Sequence, residues 1–267
     1  MHGAPTPCGL AESARTHSGV LAPYSKHRQY NQPICYALAR NAETVDLAQA
    51  IGNCSTSIGV EIPLEGPEEG KALLRSANPC NRRLCPFCEW RRSRAWRRRF
   101  FEGLPKFHED FPLHRAIFLT LTVRNCAITD LRSTIGDMHR GWTRLQRRSG
   151  FPTKFWFRRT EVTHNVAPKS TFDAPTFHPH IHAVLFVPPG YFSKNYIRQT
   201  EWQKEWMDAA RLDYAPVVDV RRAKTKSSTG GHAIDESRLA GIEAAKYATK
   251  ATDLISMGDV LTEYHYA

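Results

Sequence analysis

Between Lys154 and Gly190 two strand-like runs follow one another with no helical segment between them. The first, KFWFRRTEVTHN (Lys154 to Asn165), is rich in aromatic and β-branched residues. The second, FHPHIHAVLFV (Phe177 to Val187), is stopped by Pro188-Pro189-Gly190. Strands joined without a crossover helix pair antiparallel, so a hairpin is expected here.

The flanking segments extend this pattern. RAIFLTLTVRN (Arg115 to Asn125) has the content of a buried strand. ITDLRSTIGDMHRGWTRLQRR reads as a helix with Thr129 or Asp130 as its cap. After the hairpin come a helix over Asn195 to Leu212, a strand over Pro216 to Arg222, and a last helix over Asp235 to Thr252. The order β-α-β-β-α-β is the split βαβ pattern of ferredoxin-like sandwiches, an α+β class with a central antiparallel sheet. Upstream, a weak helix is expected over Ile34 to Ala50, short strands over Ile51 to Leu64, and a turn at EGPEEGK (Glu65 to Lys71).

Side chains alternate across a strand, so His180 and His182 share one face, about 6–7 Å apart along it. His178 shares that face, with Pro179 expected to bend the chain beside it. Two neutral imidazoles at this spacing suit a divalent ion. On the partner strand, Glu161 can sit beside them and complete the set. Two histidines and a carboxylate leave coordination positions open for substrate oxygens.

In the last helix, Glu243, Tyr247 and Lys250 fall on one face. A phenol is a poor nucleophile at neutral pH. It becomes a useful one where a cation polarises the phosphate under attack and a lysine stabilises the developing charge.

FLTLTVRN (Phe118 to Asn125), FHPHIHAVLFV and EAAKYATK (Glu243 to Lys250) resemble, in order, the three motifs of plasmid rolling-circle replication initiators, members of the HUH endonucleases. The signature here is His180-Ile181-His182. The resemblance implies a ferredoxin-like nuclease domain using Mn²⁺ or Mg²⁺, with Glu161 at the position of the third ligand. It implies Tyr247 as the nucleophile that nicks one strand of single-stranded or cruciform origin DNA through a 5′-phosphotyrosine, leaving a 3′-OH for a polymerase. Glu243 stands where some initiators carry a second tyrosine. There it resembles the glutamate thought to activate water at termination, and a carboxylate suits general-base work. Host helicase and polymerase are the implied partners. An HUH-type transposase shares this chemistry, and a non-catalytic zinc-dependent DNA-binding regulator is the reading from another class.

Seven cysteines occur, three of them as Cys80-x4-Cys85-x2-Cys88. That spacing signals a structural Zn²⁺ knuckle, which needs a fourth ligand. Similar initiators point to Cys54, with His108 and His114 as alternatives. In the helix that follows, Trp90, Trp96, Phe100, Phe101 and Leu104 form an apolar arc. Arg91, Arg92, Arg94, Arg98 and Arg99 fall mostly outside it, as a phosphate-binding face would require. Arg221 and Arg222 suggest a second basic patch.

The net charge of +11 favours a polyanionic partner. No apolar run reaches the ~20 residues of a membrane span, and the first residues lack the order of a secretion signal, so a cytoplasmic protein is expected. The expected organisation is a flexible 1–32, a zinc-binding and arginine-helix region over 33–112, and the endonuclease domain over 113–267.

Overall fold

The computed structural model of the chain describes residues 22–67, 69–71, 73–165, 176–223, 233–246 and 251–266. In chain order the elements are α1 (Ala22–Gln29), α2 (Asn31–Ala39), α3 (Val45–Gly52), β1 (Ile58–Glu61), β2 (Leu73–Ala77), α4 (Pro86–Asp110), β3 (Arg115–Thr122), α5 (Ile128–Gln146), β4 (Trp156–Asn165), β5 (Thr176–Val187), α6 (Gln199–Ala210), β6 (Val218–Arg222), α7 (Ala233–Lys246), α8 (Ala251–Ser256) and α9 (Leu261–Tyr266). They fall into two compact units: Met1–Arg92 with Thr249–Tyr266, and Ser93–Ala248. The division falls inside α4 rather than before β3, and the last helices group with the N-terminal unit, where the sequence suggested one C-terminal domain from residue 113.

The first unit is mostly helical. Residues 22–29, expected to be flexible, form α1. Tyr24 is buried there, and Trp90 meets Tyr24 edge-on at 5.4 Å and stacks on His27 at 4.9 Å. The single helix expected over Ile34 to Ala50 is two, broken at Asn41, whose side chain accepts the Glu43 N–H at 2.9 Å. β2 was missed in the sequence; it pairs antiparallel with β1, and Glu65 to Lys71 forms the turn between them. Its burial alternates too weakly to give a clear period.

The second unit is built on a four-stranded sheet in the order β4-β5-β3-β6, with every neighbouring pair antiparallel. Alternation sorts β5 cleanly. Ile181, Ala183, Leu185 and Val187 point to one face, where α5 and α6 cover them with Trp142, Trp202 and Trp206. Val184 and Phe186 point to the other, under Phe100 and Leu104 of α4 and Ala240 of α7. Each large side chain buried this way contributes about 1.5–3 kcal/mol. Helices α5 and α6 approach closely because residue 141 is glycine: a Cβ there would lie 2.9 Å from the Ala210 Cα.

Helix α5 begins at Ile128, after an extended Ala127 that offers no side-chain cap. Asp130 lies in the first turn instead, where a carboxylate favours the helix dipole. Helix α4 begins at Pro86, with its fixed φ suited to the first helical position.

Candidate metal centres

The hairpin β4–β5 sets the first site. Glu161 is in register with His180, and Thr163 with His178. Glu161, His180 and His182 each direct a ligand atom to a common point, all within 4.8 Å of one another. Glu161 Oε2 lies 3.1 Å from His182 Nε2 and 3.5 Å from His180 Nε2, and its side chain is only 2% exposed.

The outer ring of contacts fixes how the imidazoles present themselves. His180 Nδ1 donates to the His178 carbonyl at 3.1 Å, so the neutral ring turns a lone pair at Nε2 toward Glu161. His182 Nδ1 is 3.2 Å from the Thr120 hydroxyl, across the β3–β5 pair. Two Nε2 atoms and a carboxylate meeting in a nearly buried corner are compatible with a metal. His178 stays outside the group; its carbonyl serves, and burial followed by the charge of His180 lowers the pKa of its ring. Pro179 does not bend the strand: it pairs with Val162, one residue beyond the end of the β3 pairing.

The face that carries the Glu-His-His group is the one α7 covers. The even-numbered residues of β5 that carry the imidazoles continue into Val184 and Phe186, which pack with Ala240. Helix α7 is tight against α4, since a Cβ on Gly241 would collide with the Phe100 ring. At its start Glu236 is buried, accepts a hydrogen bond from Arg222 at 2.9 Å and forms an ion pair with Arg115 at 3.3 Å.

The second group lies in the N-terminal unit. Cys54, Cys80, Cys85 and Cys88 bring their sulfurs together. Cys54 Sγ is 3.5 Å from Cys88 Sγ, and Cys80 Sγ is 3.7 Å from it. A tetrahedral ion with sulfur at about 2.3 Å sets ligand sulfurs about 3.8 Å apart, so the spacing is compatible with one. Backbone amides point at the sulfurs: Cys80 N–H at Cys54 (3.4 Å) and Asn81 N–H at Cys88 (3.2 Å). Both turns need the left-handed region directly after a cysteine, at Ser55 (φ 56°) and Asn81 (φ 58°). Hydrogen bonds from Cys80, Cys85 and Cys88 hold the Cys54 thiol far below the usual range, while Cys54, Cys80 and Cys88 push Cys85 up. His108 is engaged elsewhere, 2.9 Å from the Ser237 hydroxyl.

A family profile described as "Replication protein" matches residues 71–267. Proteins named "Protein rep" from a Bacillus species and from Bacillus amyloliquefaciens are 36% and 33% identical over 214 and 225 residues, covering 74% and 78% of this chain and 64% and 61% of their own. The chain belongs to the replication protein family. A "Protein rep" of Staphylococcus aureus is 27% identical over 246 residues, covering 88% of this chain and 95% of its own. This family member spans about three fifths of the length of the first curated relatives it matches. No solved structure matches it.

The matched span contains Cys80, Cys85, Cys88 and the whole Glu-His-His group, but not Cys54. Tyr247 and Lys250 lie outside the described residues, and the side chain of Glu243 is likewise not described. Among the arginines of α4, Arg92 is committed locally: it donates to Glu89 at 2.8 Å and to the carbonyls of Asn81 and Arg82. Arg98 pairs with Glu102 at 2.8 Å, and Arg221 with Asp219 at 2.6 Å. Arg91 and Arg99 show no such carboxylate pairing among the described residues. Sequence reasoning missed Thr120 and also Arg159, which sits opposite His182 on the site's face. Only the register of three strands reveals either. No helix among the described residues is long and apolar enough to cross a membrane.

Proposed function

We propose that this replication protein nicks and rejoins single-stranded origin DNA to initiate plasmid rolling-circle replication, through a phosphotyrosine on Tyr247. The observation that carries the reading is the convergence of Glu161, His180 and His182 on the sheet face that α7 covers. From Glu236 to Lys246 the helix rises about 15 Å. From Arg115, the partner of Glu236, to Thr120, the partner of His182, β3 rises about 17 Å. The two lengths are comparable, which supports the reading that α7 runs along β3 toward the row of His182; Tyr247 follows Lys246 in sequence.

The ferredoxin-like HUH fold is supported by the strand order β4-β5-β3-β6 and by α5 and α6 sharing the opposite face. A divalent cation held by Glu161, His180 and His182 would polarise the scissile phosphate. The Tyr247 oxygen then attacks phosphorus, forming the tyrosyl ester and breaking the P–O3′ bond; the departing 3′ oxygen takes up a proton as the phenol gives one up. Lys250 stabilises the developing charge, and Glu243 serves as general base for the water that releases product at termination. Zn²⁺ is the ion proposed for the four cysteines, and Arg91, Arg94 and Arg99 the phosphate contacts of α4.

Incubation with single-stranded origin DNA and Mn²⁺ tests this. The expected result is a covalent protein–DNA adduct, lost in Tyr247→Phe and in His180→Ala while DNA binding persists. Binding with no adduct, over several ions and DNA sequences, would overturn the nuclease reading in favour of a regulator. Glu243→Ala is expected to form the first adduct and fail at release.

A further inference from the structure

On the other side of the sheet, a cleft of about 650 Å³ opens where β3 ends, between the segment after that strand, α5 and the turn after α6. The volume falls within the range of ligand pockets. Four arginines line it, Arg124, Arg140, Arg144 and Arg211, against Asp130 and Asp137. Among these, within the described residues, only Arg140 is closely paired, with Asp137 at 2.6 Å. Arg144 donates to the Ala209 carbonyl, and Arg124 is a loose 3.8 Å from Asp213. The balance is cationic.

Two details point to a ligand. The Arg124 guanidinium carbon lies over Tyr214, 3.8 Å from the ring centre, and the Tyr214 hydroxyl accepts the Arg124 backbone N–H at 2.7 Å. A planar cation stacked on a ring is a platform for a nucleobase, and only an unpaired base can reach it. Arg211 ends α6 in the left-handed conformation (φ 59°), a position that strongly favours glycine. An arginine is kept there, on the cleft wall.

We infer that this cleft binds one segment of single-stranded DNA, with a base on the Arg124–Tyr214 stack and a phosphate at Arg211. The cleft begins at Val123, one residue after Thr122, which is in register with His180. One residue of extended chain, roughly 3.3 Å, therefore separates the row of His180 from the first residue of the cleft. The inference rests on DNA being the substrate and adds a second contact site to it.

The test uses the full chain in a Tyr247→Phe background, so that binding is read without nicking. Arg124→Gln with Arg211→Gly should raise the Kd for single-stranded origin DNA about tenfold. It should also flatten the slope of log K against log salt by about 0.7, the value for the one phosphate no longer neutralised at residue 211. Arg211→Gly alone should melt no lower than the parent and still bind more weakly, which a purely structural arginine would not do. Affinity within twofold of the parent with an unchanged salt slope would overturn the cleft. If the double variant misfolds, photo-cross-linking of the unsubstituted protein to a 5-iodouracil oligonucleotide decides: a link to Tyr214 supports the site, and no link within the cleft overturns it. Adduct formation is scored separately. Weakened binding by the variants where the wild type forms no adduct keeps the cleft and retires the nuclease; undiminished binding where the wild type does form one retires the cleft alone.

Discussion

Thr120 holds the second imidazole of the hairpin from outside, and its hydroxyl is replaceable without changing the size of the side chain. Thr120→Val leaves His182 Nδ1 without that partner and frees the ring to turn. Loss of such an outer partner typically weakens metal binding about 10–100-fold. Calorimetric titration with Mn²⁺ should show that drop while the far-ultraviolet circular dichroism stays unchanged; an unaltered affinity would contradict the positioning role. Arg92 makes the opposite kind of prediction. Because it ties Glu89 to the carbonyls of Asn81 and Arg82, Arg92→Ala should loosen the cysteine loop more than it weakens DNA binding. Zinc release under a chelator should become faster, and DNA affinity should fall no more than for Arg91→Ala.

Helix α7 meets α4 with no room to spare, and that packing governs where its last turn points. Gly241→Ala drives a methyl into the Phe100 ring, which is itself held by Trp96, Phe157 and Phe186. Overpacking of this kind costs about 1–3 kcal/mol. Adduct yield should fall with it, and Phe100→Leu in the same chain should restore both; failure of the rescue would separate α7 from the site. The hairpin and its ligands could be read in the sequence because alternation fixes faces and the lack of a crossover fixes direction. The close approach of Gly241 to Phe100 could not, since it depends on which helices meet. Nor could β2, whose residues are half exposed on both faces, or α1, whose order comes from Tyr24 and His27 meeting a distant Trp90. The fourth cysteine was reached only by family likeness, because Cys54 stands 26 residues before Cys80 and no local spacing joins them.

For the whole molecule, two conditions should change stability in opposite chemical ways. If the cysteine group holds the proposed zinc, its removal would release four crowded thiols and two left-handed turns, and should lower a thermal midpoint by on the order of 10 °C. The expected readout is one zinc per chain by colorimetric assay, lost with the midpoint in Cys54→Ser. Acid acts through half-buried imidazoles. Burial, then Arg158, lowers the pKa of His139; burial, then His114 and Arg115, lowers that of His108. The unfolded chain, with histidines near 6.5, takes up these protons first. Stability is therefore full above about pH 6.5 and falls as the pH drops through that value toward the depressed folded values. Urea midpoints at pH 7.5 and 5.5 should differ accordingly, and His139→Gln should narrow the gap. The hairpin itself has one more consequence. Sliding β4 by a single residue against β5 would turn Glu161 toward α5 and leave the imidazoles facing a threonine or a valine. An ion at that corner thus proofreads the alignment of the two strands, and a misaligned chain has nothing with which to hold it.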